Sequence, residues 1–149
     1  MQVLRPLESD DAAELRRIRA TPEVQSRWFA LEDDFPLADE PEVTRLTIEV
    51  DGRVAGMIQF SEELDPQYRH ASIDLFVDPA LHNRGIATEA IRRVVDLLVG
   101  ERGHHRITID PAADNAAAIH VYEKAGFRPV GVMRAYERDA TGAPGTTAS

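Results

Sequence analysis

The chain has no cysteine, few aromatics and no long apolar run, and each absence removes a class of function. Without a cysteine in its 149 residues it can build no disulfide framework, no thiolate zinc site and no covalent cysteine intermediate, which suits a reducing compartment. No apolar run approaches the roughly 18 residues of a membrane span. Met1 to Asp10 also lacks the basic start and apolar stretch of a signal peptide. A soluble, cytoplasmic protein with no membrane partner is expected. Positive charge is scarce: 17 Lys and Arg face 26 Asp and Glu, for a formal net charge of −9. That balance argues against a nucleic-acid surface and suits a cationic small molecule as partner. With 43% apolar residues the chain can fill one core but is too short for two ordinary domains, so residues 1–149 read as a single domain.

What is present has a clear order. Val3 to Leu7 is a short strand, followed by Ser9 as an N-cap and by "DDAAELRRIRA", where Ala12, Leu15, Ile18 and Arg19 recur at helical spacing. Thr21-Pro22 opens a second short helix that runs toward Trp28. Leu31 to Glu42 is acidic, carries two prolines and has no period, so it reads as a loop. "TRLTIEV" and "RVAGMIQF" flank Asp51-Gly52, a strong hairpin signal. In "HASIDLFV" alternation puts Ile73, Leu75 and Val77 on one face and Ser72, Asp74 and Phe76 on the other. Ala87, Ala90, Ile91, Val94, Leu97 and Leu98 predict a long helix over Gly85 to Glu101 with one buried stripe. "HRITID" is a further strand, "NAAAIHVYEKAG" a helix closed by Gly126 at C′, and "FRPVGVMRAYER" a last strand. The fold class is α/β, of the α+β kind, with a mixed sheet and flanking helices.

One stretch raises a chemical question. "DPALHNRGIATEAI" starts a helix without a capping side chain, and Gly85 removes the Cβ at that start. The amides from Asn83 to Ala87 can therefore converge on an anion, with the helix dipole and Arg84 adding positive potential. It is neither a Walker loop nor a dinucleotide fingerprint. Taken alone, such a glycine junction is more often an ordinary loop. His104-His105 lacks a second liganding cluster, so the pair reads as surface histidines and no metal is expected.

The frame "SIDLFVDPALHNRGIATEAI" followed by "ITIDPAADNAAAIHVYEKAGF" resembles the GNAT superfamily of acetyl-CoA-dependent N-acetyltransferases, with similarity from Val3 to about Arg138. The resemblance implies the GNAT fold, a central and mostly antiparallel sheet splayed at the CoA site, and acetyl-CoA as the cofactor. The family's pyrophosphate motif falls on His82, Asn83, Arg84, Gly85, Ile86 and Ala87, with Thr88 next on the helix; His82 departs from the usual Gln or Arg. Asn115 matches an asparagine that holds the pantetheine arm, and an ordinary N-cap role is equally open to it. Tyr122 matches the tyrosine that protonates the leaving thiolate; its alternative is a core aromatic. The strand ending at Phe76 and Val77 matches the one whose splayed or bulged end offers amides to the acetyl carbonyl.

An amine must be neutral to attack, and a primary amine is mostly charged at pH 7, so a base or a water chain has to take its proton. Asp74 and Asp110 can converge where their strands part; a solvated strand residue and a turn aspartate before Pro111 are the plain alternatives. Ile73-Asp74, Asp110-Pro111 and "YEKAGF" are similar to aminoglycoside 6'-N-acetyltransferases, which implies Asp74 as base and Asp110 as a ligand of the cationic sugar. The acidic loop with Asp33 and Asp34, and Trp28 before it, suits a polycationic substrate, or is a mobile, solvated charge run. Acetylation of a protein N-terminus or lysine, and a CoA-binding module without turnover, stand beside this reading. Relatives continue with a strand beginning around Trp-His-Asp-Gly-Leu, whereas this chain has "TGAPGTTAS", a replacement that a frameshift would produce. The last strand is therefore expected to be missing, residues 140–149 to be a flexible tail, and the open edge to favour a homodimer.

Overall fold

The computed structural model describes residues 1–28, 32–109 and 116–128, together with the backbone strands 132–138 and 144–148. Five strands form the main sheet in the order β1 (Gln2–Pro6), β2 (Val43–Val50), β3 (Arg53–Glu63), β4 (His70–Val77) and β5 (Ile107–Thr108). The first four are antiparallel neighbours and β5 runs parallel to β4. Among the described residues four α-helices accompany them: α1 (Ala12–Arg19), α2 (Pro22–Trp28), α3 (Ile86–Gly100) and α4 (Ala116–Lys124). None of the described helices is long and apolar enough to cross a membrane.

The alternation in β4 divides the core as its sequence predicts. Ile73, Leu75 and Val77 pack with Ile58, Phe60 and the α3 stripe of Ile86, Ala90, Ile91, Val94 and Leu98. Phe76 joins Leu15, Ile18, Val24, Phe35 and Met57 on the α1 and α2 side. Each large side chain so buried contributes about 1.5–3 kcal/mol. The β2–β3 turn has Asp51 at φ 51° and Gly52 at φ 81°, the two left-handed residues that a type I′ hairpin requires.

Two irregularities aim the end of β4. The β2–β3 register slips between Ile48 and Glu49, leaving Ala55 as an extra residue; its carbonyl accepts the Asp78 N–H at 2.7 Å. Next to it, a Cβ on Gly56 would lie 2.1 Å from the Phe76 carbonyl oxygen. Only glycine lets β3 approach β4 so closely there.

Four expectations need correction. Ser9 is not a cap: it lies inside a short 3₁₀ turn, Ser9–Asp11. The Asp11 carboxylate instead accepts the Glu8 N–H at 2.9 Å, because it is also the partner of Arg5 and Thr47. His104 is not on the surface but 2% exposed, with Nε2 2.7 Å from Glu62. The "HRITID" strand shortens to two paired residues. A final strand is also present: β7 (Pro144–Ala148) pairs antiparallel with β6 (Val132–Arg138). The β-branched pair Thr146-Thr147 favours extended backbone, and Pro144 sits at the strand's first residue, where its missing N–H costs no ladder bond. The 140–149 segment is thus not wholly a tail, and β6 has a partner within its own chain.

Candidate active site

The turn after β4 is tied down before the helix begins. Asp78 caps a 3₁₀ turn, Pro79–Leu81, by accepting the Ala80 N–H at 3.0 Å, and Arg17 of α1 donates to its other oxygen at 2.7 Å. Burial opposes ionisation of this carboxyl, but the Ala80 amide and Arg17 outweigh it and hold its pKa below the ordinary value. His82 turns back so that Nε2 donates to the Val77 carbonyl at 3.2 Å. This bond ties the His82 side chain to the end of β4.

Asn83 at φ 65° and Gly85 at φ 76° are both left-handed, and α3 starts at Ile86 with no side-chain cap. The first helical return bond is Glu89 N–H to the Gly85 carbonyl, 3.1 Å, so the amides of Ile86, Ala87 and Thr88 have no helical acceptor. His82, Asn83, Arg84 and Gly85 are exposed. A Cβ on Gly85 would meet nothing within 4 Å, so glycine is needed for its backbone conformation alone. Alternating left-handed residues ahead of free helix amides form an anion cradle, and the loop fits a pyrophosphate.

Beside this cradle the sheet opens. β4 and β5 pair only at Ala71–Ile107 and Ser72–Thr108, so Ile73 to Val77 have no β5 partner among the described residues. The Leu75 N–H is accepted by Asp74 Oδ1 at 3.0 Å, which turns that amide away from β3 toward the gap; by the two-residue period the Val77 amide faces the same way. Asp74 is exposed at this opening. Tyr122 reaches it from α4, half-buried against the core. Burial first, and the Asp74 charge second, push the phenol's pKa up. The hydroxyl therefore keeps its proton at neutral pH, within the field of the carboxylate. Tyr122 is fixed by the end of its helix: Phe127 N–H returns to the Tyr122 carbonyl and Gly126 N–H to Glu123, both at 3.0 Å. Gly126 at φ 105° completes this Schellman closure. Asp110 and Asn115 lie outside the described residues.

The other wall comes from α1, α2 and the acidic loop. Trp28 packs edge-on against Phe76 at 5.2 Å, and Phe35 lies 6.1 Å from the same ring. Arg19, 2% exposed, stacks on Trp28 and Phe35, donates to the Trp28 carbonyl and pairs with Glu32 at 2.9 Å. Arg16 donates to the carbonyls of Glu32, Asp33 and Phe35, while Arg45 takes Glu40 and the Ala38 carbonyl. The loop is therefore a pinned wall and not a free charge run. Glu32 and Glu40 are neutralised within the chain, and the Asp33 and Asp34 side chains stay exposed. Sequence reasoning missed these arginines. The available signal was Arg19 standing on the apolar stripe of α1, a place where a cation survives only with partners.

Residues 7–127 match the acetyltransferase (GNAT) family. The chain is 32% identical over 141 residues to the L-amino acid N-acetyltransferase AaaT of Escherichia coli (strain K12), covering 90% of this chain and 87% of that one. Its fold aligns with the spermidine N-acetyltransferase of Vibrio cholerae, solved with CoA and spermine, at TM-score 0.81 and 20% identity over 99% and 92% of the two chains. It aligns with the aminoglycoside acetyltransferase AAC(6')-Ib, solved with coenzyme A, at 0.78 and 22% over 100% and 94%. With its anion cradle, open β4 edge and family match in agreement, the chain is an acetyl-CoA-dependent N-acetyltransferase and belongs to the acetyltransferase (GNAT) family.

Proposed function

We propose that the chain transfers acetyl directly from acetyl-CoA to a primary amine of a cationic small molecule, with the 6'-amine of an aminoglycoside as the first candidate. The observation that carries this reading is the meeting of Asp74 and Tyr122 at the β4–β5 gap beside the Gly85 cradle. Acetyl-CoA supplies the thioester. The amides from Asn83 to Thr88 hold its pyrophosphate, with Arg84 adding charge, and Asn115 holds the pantetheine arm. The Val77 amide donates to the acetyl carbonyl oxygen, where negative charge develops as the amine attacks. Asp74 attracts the ammonium and takes its proton; Tyr122 Oη donates a proton to the departing sulfur. Asp33, Asp34 and Asp110 line the cationic side, and Trp28 and Phe76 form its apolar floor.

A second acceptor class, a free amino acid, draws support from the 32% identical relative that acts on L-amino acids. The test is thiol release from acetyl-CoA with kanamycin, a 6'-hydroxy analogue, an amino acid, spermidine and a basic peptide. Release that requires the 6'-amine supports the first candidate, and release only with peptide would replace small-molecule transfer by protein acetylation. Silence in every lane, with CoA still bound by calorimetry, would leave a binding module.

A further inference from the structure

Asp74 has a neighbour that neither the motif nor the loop pointed to. Gln59 on β3 stands directly opposite Asp74 in the β3–β4 register, and Arg45 on β2 stands directly opposite Gln59. Directly opposed residues project to the same face with Cβ atoms about 5 Å apart, so cation, amide and carboxylate form one row across three strands. Arg45 Nε donates to Gln59 Oε1 at 3.2 Å. Because guanidinium only donates, this contact fixes the amide flip. Oε1 faces β2 and the NH₂ group faces away from it. Among the described residues that NH₂ donates to nothing, and Gln59 is only half-buried. Arg45 itself is spent on Gln59, Glu40 and Ala38, so its charge polarises the amide and does not meet a ligand.

We infer that Gln59 is a specificity-determining residue of the acceptor site: its two N–H groups bind an oxygen carried near the reacting amine, while Asp74 holds the amine. This rests on the acetyl-transfer reading and narrows it. The favoured acceptor carries an oxygen acceptor one or two carbons from the nitrogen, as a carboxylate in an amino acid or as ring and hydroxyl oxygens in an amino sugar. A polyamine has no such oxygen and presents only donors to the amide, and is discriminated against. The row thus sets the Gln59 donor beside the Asp74 carboxylate rather than a second acceptor beside it.

The experiment compares kcat/KM for an α-amino acid, the amine lacking only its carboxylate, kanamycin and spermidine, in the wild-type chain and in Gln59→Glu and Gln59→Met. Gln59→Glu keeps an oxygen for Arg45 and removes both N–H donors; Gln59→Met removes the donors without adding charge. Acceptor binding in the presence of CoA is followed by calorimetry alongside. In both variants the oxygen-bearing acceptors are expected to lose about tenfold or more, a hydrogen bond to a charged or polar oxygen being of that size, with KM for acetyl-CoA unchanged. Spermidine should hold its rate in Gln59→Met and gain in Gln59→Glu. The amino acid and kanamycin arms tell whether carboxylate or sugar oxygen is the natural partner. An equal loss across all four acceptors, or no loss, would overturn the assignment. No turnover by the wild type with any amine, while binding still depends on the oxygen and on Gln59, would sink acetyl transfer and leave the Gln59 site standing.

Discussion

Replacing Asp11 by Asn tests whether the start of α1 is held by charge or merely by shape. The wild-type carboxylate is 4% exposed. It accepts two bonds from Arg5 at 2.8 Å each, one from the Glu8 N–H at 2.9 Å and one from Thr47 Oγ1 at 2.9 Å. The Arg5 bonds are the main reason its pKa falls from 3.8 to about 2, burial pulling the other way. A folded value below the unfolded one stabilises the fold above the unfolded pKa, and the gain is lost as pH falls through the folded value. The fall from 3.8 to about 2 corresponds to about 2.5 kcal/mol at neutral pH. Roughly half should remain at pH 3 and almost none at pH 1.5. Urea unfolding of wild type and Asp11→Asn should therefore differ by about 2.5 kcal/mol at pH 7, with the gap about halved at pH 3. A gap independent of pH would refute the electrostatic account and leave packing as the cause. The candidate site depends on the answer, because α1 carries Arg16 and Arg19 to the 32–42 loop and Arg17 to Asp78.

Other outcomes follow from the same geometry. Tyr122→Phe should slow turnover about a hundredfold, the scale of a lost general acid, with CoA affinity by calorimetry nearly unchanged; equal loss of CoA binding would make the tyrosine a packing residue. Because burial and Asp74 push its pKa up, the wild-type rate should show no loss of the acid form through about pH 10. Asp74→Asn should lower the rate and flatten its rise with pH in steady-state profiles, and an unaltered slope would assign proton removal elsewhere. Gly56→Ala, whose Cβ would lie 2.1 Å from the Phe76 oxygen, should lower stability by about 3 kcal/mol, read as a fall in Tm. Arg17→Met should raise KM for acetyl-CoA several-fold with kcat retained, since it releases Asp78 and the turn that presents the cradle.

Period and turn chemistry made much of this fold legible in advance. Ile73, Leu75 and Val77 face α3 because a strand alternates, Asp51-Gly52 turns because both residues tolerate positive φ, and Gly85 opens α3 because nothing caps it. These are local properties, decided within a few residues. The 32–42 stretch was legible as an acidic loop, but whether its charges were solvated or held stayed open: Arg16 grips its carbonyls, and Arg19 and Arg45 pair with Glu32 and Glu40, from outside the stretch. The final strand was expected to be missing because "TGAPGTTAS" departs from the relatives' residues there, yet a changed sequence can still pair with the same edge, as β7 does with β6.

From the sequence alone came the helix and strand periods, the Asn83-to-Thr88 cradle and the family resemblance, all carried by short-range spacing. Only the tertiary structure decided which charges remain open to a ligand. Ion pairing and strand register act between residues distant along the chain: Arg19 pairs with Glu32, β5 leaves β4 after Ser72, and register sets Gln59 beside Asp74. Spacing cannot encode such pairs, because a cross-strand neighbour is chosen by the register of the whole sheet.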